Sequence, residues 1–232
     1  MNDREAAVRR ALAAVRDPEL DEAVTRLGFV SEVSVRGARA RVRLRLPTYF
    51  CAPNFAFLMA SDARRAVLSV AGITEAEVLL DDHFSSAEIN GAIRGGGGFV
   101  DAFPDEAGGE LEELRTLFAR KAFLVRQARL CEALRHAGRT PEELAALRVC
   151  DLPDSPEAEA YLERRRELGL DASPSAPVVV RPNGEAVLAA DVARHLRLAR
   201  TVRVSVEGNA GLCRGLLRTR YGIADPEEEV VR

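Results

Sequence analysis

The stretch "ARARVRLRL" at 38–46 constrains the fold more than any other. Ala40, Val42, Leu44 and Leu46 alternate strictly with Arg39, Arg41, Arg43 and Arg45. Side chains of an extended strand point to opposite faces with a period of two. Nine residues of this pattern therefore predict a strand with one apolar face and one arginine face. "FVSEVSV" (29–35) precedes it, and Arg36-Gly37-Ala38 supplies a turn, so the two runs read as a hairpin. The arginine row is expected to be the solvated face, its charge protecting a sheet edge.

The flanks read as helices and one more strand. Val8, Leu12 and Val15 recur at helical spacing in residues 3–16. In "DPEL", Asp17 is a candidate N-cap and Pro18 fits a first helical turn, predicting a second helix that ends near Gly28. Pro47 ends the arginine strand. Residues 53–70 carry a helical stripe through Leu58, Met59, Ala63, Val67 and Val70, and "GITEAEVLL" reads as a third strand. The order predicts an α+β fold: a small N-terminal domain, residues 1–85, whose three-stranded sheet is packed by helices. Residues 86–109, which take in all but the last residue of "IRGGGGFVDAFPDEAGGE" (93–110), read as a Gly/Pro-rich linker.

Residues 110–232 read as a helical, then mixed α/β, C-terminal unit. A long helix is expected near 110–137, a capping box at "TPEE" (140–143) opens another, and Ser155-Pro156 starts a third. "APVVVRPNGEAV" is expected as strand, turn, strand. "DVARHLRLA" reads as a helix, "TVRVSVE" as an alternating strand and "NAGLCRGLLRTRYG" as a final helix. "EGNAG" then has the general shape of a strand-to-helix anion turn, and "DPEEE" at 225–229 reads as an acidic tail.

Composition narrows the function classes. The 232 residues carry 33 basic and 36 acidic side chains, a net charge of −3, so a nucleic-acid partner is not expected. Lys121 is the only lysine, an arginine bias expected of a GC-rich bacterial genome. "MNDREAAVRR" offers no apolar segment of a signal peptide, and no apolar run is long enough for a membrane span. A cytoplasmic protein with reduced thiols is the expectation. Cys51, Cys131, Cys150 and Cys213 are widely spaced, which argues against a disulfide framework or a closed zinc site.

Cys51 stands apart because it falls at a strand-to-helix corner, just ahead of Pro53. A helix N-terminus favours the thiolate, the form that attacks electrophiles and binds soft metals. Such a fold can also bring Asp17 and Glu19 toward Cys51, with Thr48 on the same loop; carboxylates there would raise the thiol pKa unless a cation is shared. His83, at the end of the third strand, is a further candidate ligand. Cys131 reads as core from its helical spacing, whereas Cys150 and Cys213 have no evident partner in the sequence.

"VRDPEL", then "LGFV", an alternating hairpin and "LPTYFCAP" together resemble the MIP-eighteen family of iron–sulfur cluster assembly domains, with its SufT- and PaaD-like members. The resemblance covers roughly residues 5–84. The family's acidic stretch falls on Asp17, Pro18 and Glu19, and its loop threonine and cysteine on Thr48 and Cys51. Two features depart from the family pattern: Phe50 precedes the cysteine and Ala52 intervenes before Pro53, and His83-Phe84 stands where a tryptophan is common. The resemblance implies an accessory protein, not an enzyme, that assembles or delivers an iron or iron–sulfur centre. The cargo would be transient, with no cofactor stably bound. Its partners would be a client metalloenzyme or another cluster-assembly protein, with homo-oligomers also open. Two alternatives remain at this point: a metal-free adaptor or chaperone for a di-iron monooxygenase, and a thiol enzyme with Cys51 as nucleophile.

Overall fold

A computed structural model describes residues 3–104 and 109–223, which divide into two compact units. One comprises the described residues up to Glu112 together with those from Asn209 onward; the other is Glu113–Gly208. The acidic stretch at 225–229 lies outside the described residues. Among those that are described, no helix is long and apolar enough to cross a membrane.

The first unit begins with helix α1 (Asp3–Leu12), which buries Val8 and Leu12. The helix expected from "DPEL" does not form. The chain instead makes a short ribbon, β1 (Arg16–Asp17) against β2 (Glu22–Ala23), paired antiparallel. Asp17 does cap backbone N–H groups, as its residue type predicts, but it closes a turn: its Oδ1 accepts from Glu19 N and Leu20 N, both at 2.9 Å. Asp21 then adopts φ +50°, a left-handed conformation that Asp tolerates and a helix does not propagate. The chain reverses there, and Val24 N donates to Val15 O at 2.9 Å.

The hairpin is β3 (Val30–Arg36) with β4 (Arg39–Arg45), and Gly37 takes the positive φ of its tight turn. Helix α2 (Pro53–Leu68) carries the chain across to β5 (Glu75–Asp81). The sheet order is β3-β4-β5, with β4 and β5 parallel. A parallel pair needs a crossover of this kind. Ala40, Val42, Leu44, Val78 and Leu80 form the buried face, covered by α1, α2 and helix α3 (Ser86–Gly95).

The arginine face is exposed as expected, but β4 is the central strand, so the row protects no edge. Its register explains what it does. Arg39 and Arg41 lie opposite Glu75 and Glu77 on β5 and donate to them at 2.6 and 2.7 Å. Arg43 grips Asp81 with two N–H groups, at 2.8 and 2.7 Å. This ladder stitches the β4–β5 pairing on its wet side.

Residues 86–109, expected as a linker, contain α3 and a short helix α4 (Phe99–Ala102). Ile89, Ile93, Phe99 and Ala102 join the first unit's core. The glycine run at 95–98 is the joint between the helices; Gly96 ends α3 in the left-handed conformation.

The second unit takes in most of α5 (Gly109–His136), then α6 (Pro141–Ala146), α7 (Pro156–Glu167) and the first part of α8 (Val192–Tyr221). The expected capping box is present: Glu143 N donates to Thr140 Oγ1 at 3.2 Å, and Thr140 N to Glu143 Oε2 at 2.8 Å. Ser155 caps α7 through Ala158 N. Two expectations are corrected. The 201–207 strand is helix, because Val192, Ala199 and Val206 recur every seven residues on a buried face while Val204 is exposed. "EGNAG" is therefore mid-helix and forms no anion turn. The "APVVV" segment is buried but makes only isolated bridges, Arg148–Pro177 and Val180–Ala186. Side chains satisfy the carbonyls of Pro177, Val178 and Val180, while Ala176 O and Val179 O accept from Val149 N and Val187 N. Tyr161 Oη donates to Val178 O at 2.7 Å, Gln127 Nε2 to Val178 O and Val180 O, and Arg165 to Pro177 O at 2.8 Å. His195 Nε2 in turn donates to Gln127 Oε1 at 2.6 Å.

The two faces of β4 should respond oppositely to substitution. Val42→Arg buries a charge among Leu and Val side chains and should cost about 4 kcal/mol or more. Arg41→Val removes one half-exposed ion pair and should cost under about 1 kcal/mol. Urea unfolding of both variants checks this; equal midpoints would reverse the facing.

Candidate functional site

Because β4 and β5 run parallel, their carboxyl ends emerge at the same edge of the sheet. The loop after β4 (46–52) and the loop after β5 (82–85) therefore meet. Phe84 N donates to Tyr49 O at 3.2 Å. His83 is buried and ties the two loops: Ser85 N donates to its Nδ1 at 3.1 Å, which fixes the proton on Nε2, and Nε2 donates to Cys51 O at 2.7 Å. Burial holds the imidazole below its usual pKa, so it stays neutral. Both ring nitrogens are engaged with backbone groups, and the residue acts on the loop that carries Cys51.

Cys51 lies just before α2, whose first turn opens at Pro53. The thiol is half-buried. Burial pushes its pKa up to about 12, Asp17, Cys213 and Glu19 push the same way, and the N–H of Ala52 opposes them weakly. The thiolate-favouring effect of a helix start is thus outweighed by desolvation and nearby acids. Asp17 is buried, and burial raises its carboxyl to about 6 despite the two N–H groups on Oδ1, with Glu19 adding to the rise. Glu19 is half-buried beside it. Thr48 sits half-buried in the bend of the Cys51 loop, and among the described residues nothing ties its hydroxyl to the thiol.

The electrostatic neighbourhood includes a residue the sequence did not point to. Cys213, on α8, is half-buried against the first unit's core, and its thiol is raised by burial and by Asp17 and Glu19. It lies 162 positions from Cys51, and no local signal joins them. Cys131 is core of the second unit, and Cys150 is exposed. Among the described residues, no three His, Cys, Asp or Glu side chains converge as a ready-made metal site.

An aromatic rim stands on the two loops that meet at Cys51. Tyr49 and Phe50 pack edge to face at 5.0 Å, and Phe84 lies 6.0 Å from Phe50. They are 47%, 77% and 45% exposed, respectively.

Fold and site together define a small α+β domain with a thiol, a buried carboxylate and an aromatic rim at the carboxyl edge of a parallel strand pair. Residues 5–80, the N-terminal third of the chain, match the family model described as iron–sulfur cluster assembly protein. Among curated proteins, none matches the chain.

Two outcomes test the electrostatics. The folded Asp17 pKa of about 6 exceeds its ordinary 3.8, so the stabilising effect of the bound proton is full below pH 3.8 and is lost as pH rises through about 6. The charged carboxylate then costs about 3 kcal/mol at neutral pH in metal-free protein. Asp17→Asn keeps an oxygen acceptor and should raise stability by about 1–3 kcal/mol at pH 7.5, with no gain at pH 3.5. Urea unfolding at the two pH values reads this. Second, brief iodoacetamide treatment of metal-free protein at pH 7 should label exposed Cys150 roughly tenfold or more faster than Cys51. Mass-spectrometric mapping gives the order.

Proposed function

We propose that the first unit receives an iron–sulfur cluster, or its iron, at Cys51 and passes it to a client metalloenzyme or another assembly protein. The family match over residues 5–80 supports a role in iron–sulfur cluster assembly. The observation that carries the finer reading is the electrostatics at Cys51. The buried Asp17 carboxylate and burial itself raise the pKa of the half-buried Cys51 thiol, and a soft cation would turn this penalty into attraction. Binding releases the thiol proton to solvent and leaves a thiolate on iron. His83 holds the Cys51 carbonyl and keeps the loop in register.

A full cluster ordinarily takes about four cysteine ligands. Cys51 alone holds cargo incompletely, which suits a carrier that must let go, with the remaining ligands coming from the donor or acceptor. The rim of Tyr49, Phe50 and Phe84 is apolar, exposed and set on the loops that meet at Cys51, so a partner seated on it brings its own ligands to the cargo. The same rim also favours a second reading, a metal-free adaptor that grips a client through these rings alone.

Anaerobic incubation of the reduced full chain with ferrous iron and sulfide, followed by transfer to an apo-ferredoxin, separates the two readings. Delivery predicts that the wild type matures the ferredoxin and that Cys51→Ser lowers the rate at least roughly tenfold with the fold intact. Phe50→Ser should slow transfer while leaving iron uptake unchanged. Equal maturation by wild type and Cys51→Ser overturns delivery through this thiol and leaves the adaptor.

A further inference from the structure

The second unit holds a cavity of its own. It has a volume of about 240 Å³ and lies between α5, the start of α8 and the turn that follows the buried 176–180 segment. Leu124, Pro182 and Leu198 supply its apolar wall. The turn is fixed by its own backbone. Gly184 N donates to Arg181 O at 2.9 Å, Arg181 N to Glu185 O at 2.8 Å, and Glu185 N to Asn183 Oδ1 at 3.2 Å. Pro182 and Asn183 fill the two central positions, and Gly184 takes φ +89°. His195 is buried in the lining, and its Nε2 is committed to Gln127, whose amide is anchored on Val178 O and Val180 O. The walls are therefore in place before any ligand arrives.

The charge on this lining is one-sided: Arg120 and Arg181 belong to it, and no acid does. Both arginines are exposed, with stems that cover apolar surface while their heads stay in water. The acid nearest Arg181 is Glu185, at 4.0 Å and 70% exposed, a contact worth little. Burial, and then the Arg181 charge, hold the His195 imidazole below its usual pKa, so it is neutral and the positive charge is that of the guanidinium groups.

We propose that this cavity binds a small monocarboxylate with an apolar body, its chain against Leu124, Pro182 and Leu198 and its carboxylate at the mouth with Arg120 and Arg181. A guanidinium fork matches the planar carboxylate. Asn183 spends its Oδ1 in the turn, which leaves its amide N–H groups to donate to the same anion. The apolar wall disfavours inorganic phosphate or sulfate, which would give up hydration there for no hydrogen bond. The volume is below that of pockets for drug-sized ligands, so the body is short, on the order of six carbons. Every lining residue lies in the second unit, so the proposal does not depend on metal uptake at Cys51.

Ligand-observed NMR titration of the full chain with hexanoate, 1-hexanol, hexylamine and acetate at neutral pH tests the proposal. Hexanoate should saturate a single site. 1-Hexanol keeps the body without the charge and acetate the charge without the body, and each should bind roughly tenfold or more weakly. Hexylamine, a cation, should not bind. Arg120→Gln and Arg181→Gln should each weaken hexanoate binding about fivefold or more, with the urea midpoint unchanged. Leu198→Glu sets a carboxylate at the mouth that competes for the arginines, and it should abolish binding. The fold should survive that change, because Leu198 is 58% exposed. Hexanoate bound no more tightly than 1-hexanol, or bound equally by the wild type and both arginine variants, overturns the carboxylate site. Absence of saturable hexanoate binding overturns it as well.

Discussion

The parallel pairing of β4 with β5 is the constraint on which the rest of the first unit depends. Parallel strands cannot be joined by a tight turn, so α2 must cross between them and is anchored over the sheet's apolar face. The same pairing sends both strand ends out at one edge. That edge is where ligand sites of parallel sheets commonly fall, since loops from different strands converge there. Here the convergence is made specific by one buried imidazole, whose two nitrogens bridge the loops through Ser85 N and Cys51 O. The arginine–carboxylate ladder on the outer face supports this pairing. Arg39, Arg41 and Arg43 each find an acid on β5.

Burial at that edge sets the chemistry. Asp17 and the two thiols, Cys51 and Cys213, are all held on the protonated side of their ordinary behaviour, each because desolvation disfavours its charged form. Without metal, the arrangement is electrostatically unfavourable when ionised. The chain keeps it in spite of that cost, and neighbouring positions are used to hold it: the turn at 17–20, the Cys51 carbonyl bound by His83, and the arginine contacts of α8. Under the proposed reading, cation uptake at Cys51 would be linked to proton release, so affinity for soft metals would rise with pH.

The second unit is governed by a different rule. Its central apolar segment, residues 176–180, is extended and buried, yet no neighbouring strand pairs along it. Tyr161, Gln127 and Arg165 reach from helices to its carbonyls, and His195 orients Gln127. Buried backbone oxygen atoms must be satisfied; polar helix side chains serve three of them here, and backbone N–H groups of Val149 and Val187 serve Ala176 O and Val179 O.

Local sequence determined the parts whose physics is local. Strict alternation at 38–46 gave the strand and both its faces, the helical stripe at 53–70 gave α2, and Thr140 with Glu143 gave a capping box. It also put Cys51 at a strand-to-helix corner. Where local signals compete, tertiary structure decided. Asp17 can cap a helix or close a turn, and the reversal at Asp21 selected the turn. Val202, Val204 and Val206 fit a strand, but burial of Ala199 and Val206 on a seven-residue period selected a helix. A glycine run at 95–98 reads as a linker until Ile89, Ile93 and Phe99 are seen in the core. The thiol's protonation and the approach of Cys213 were beyond local reading altogether. Both arise from groups far apart in the chain, and only the packing of α8 against the carboxyl edge of the sheet brings them within electrostatic reach.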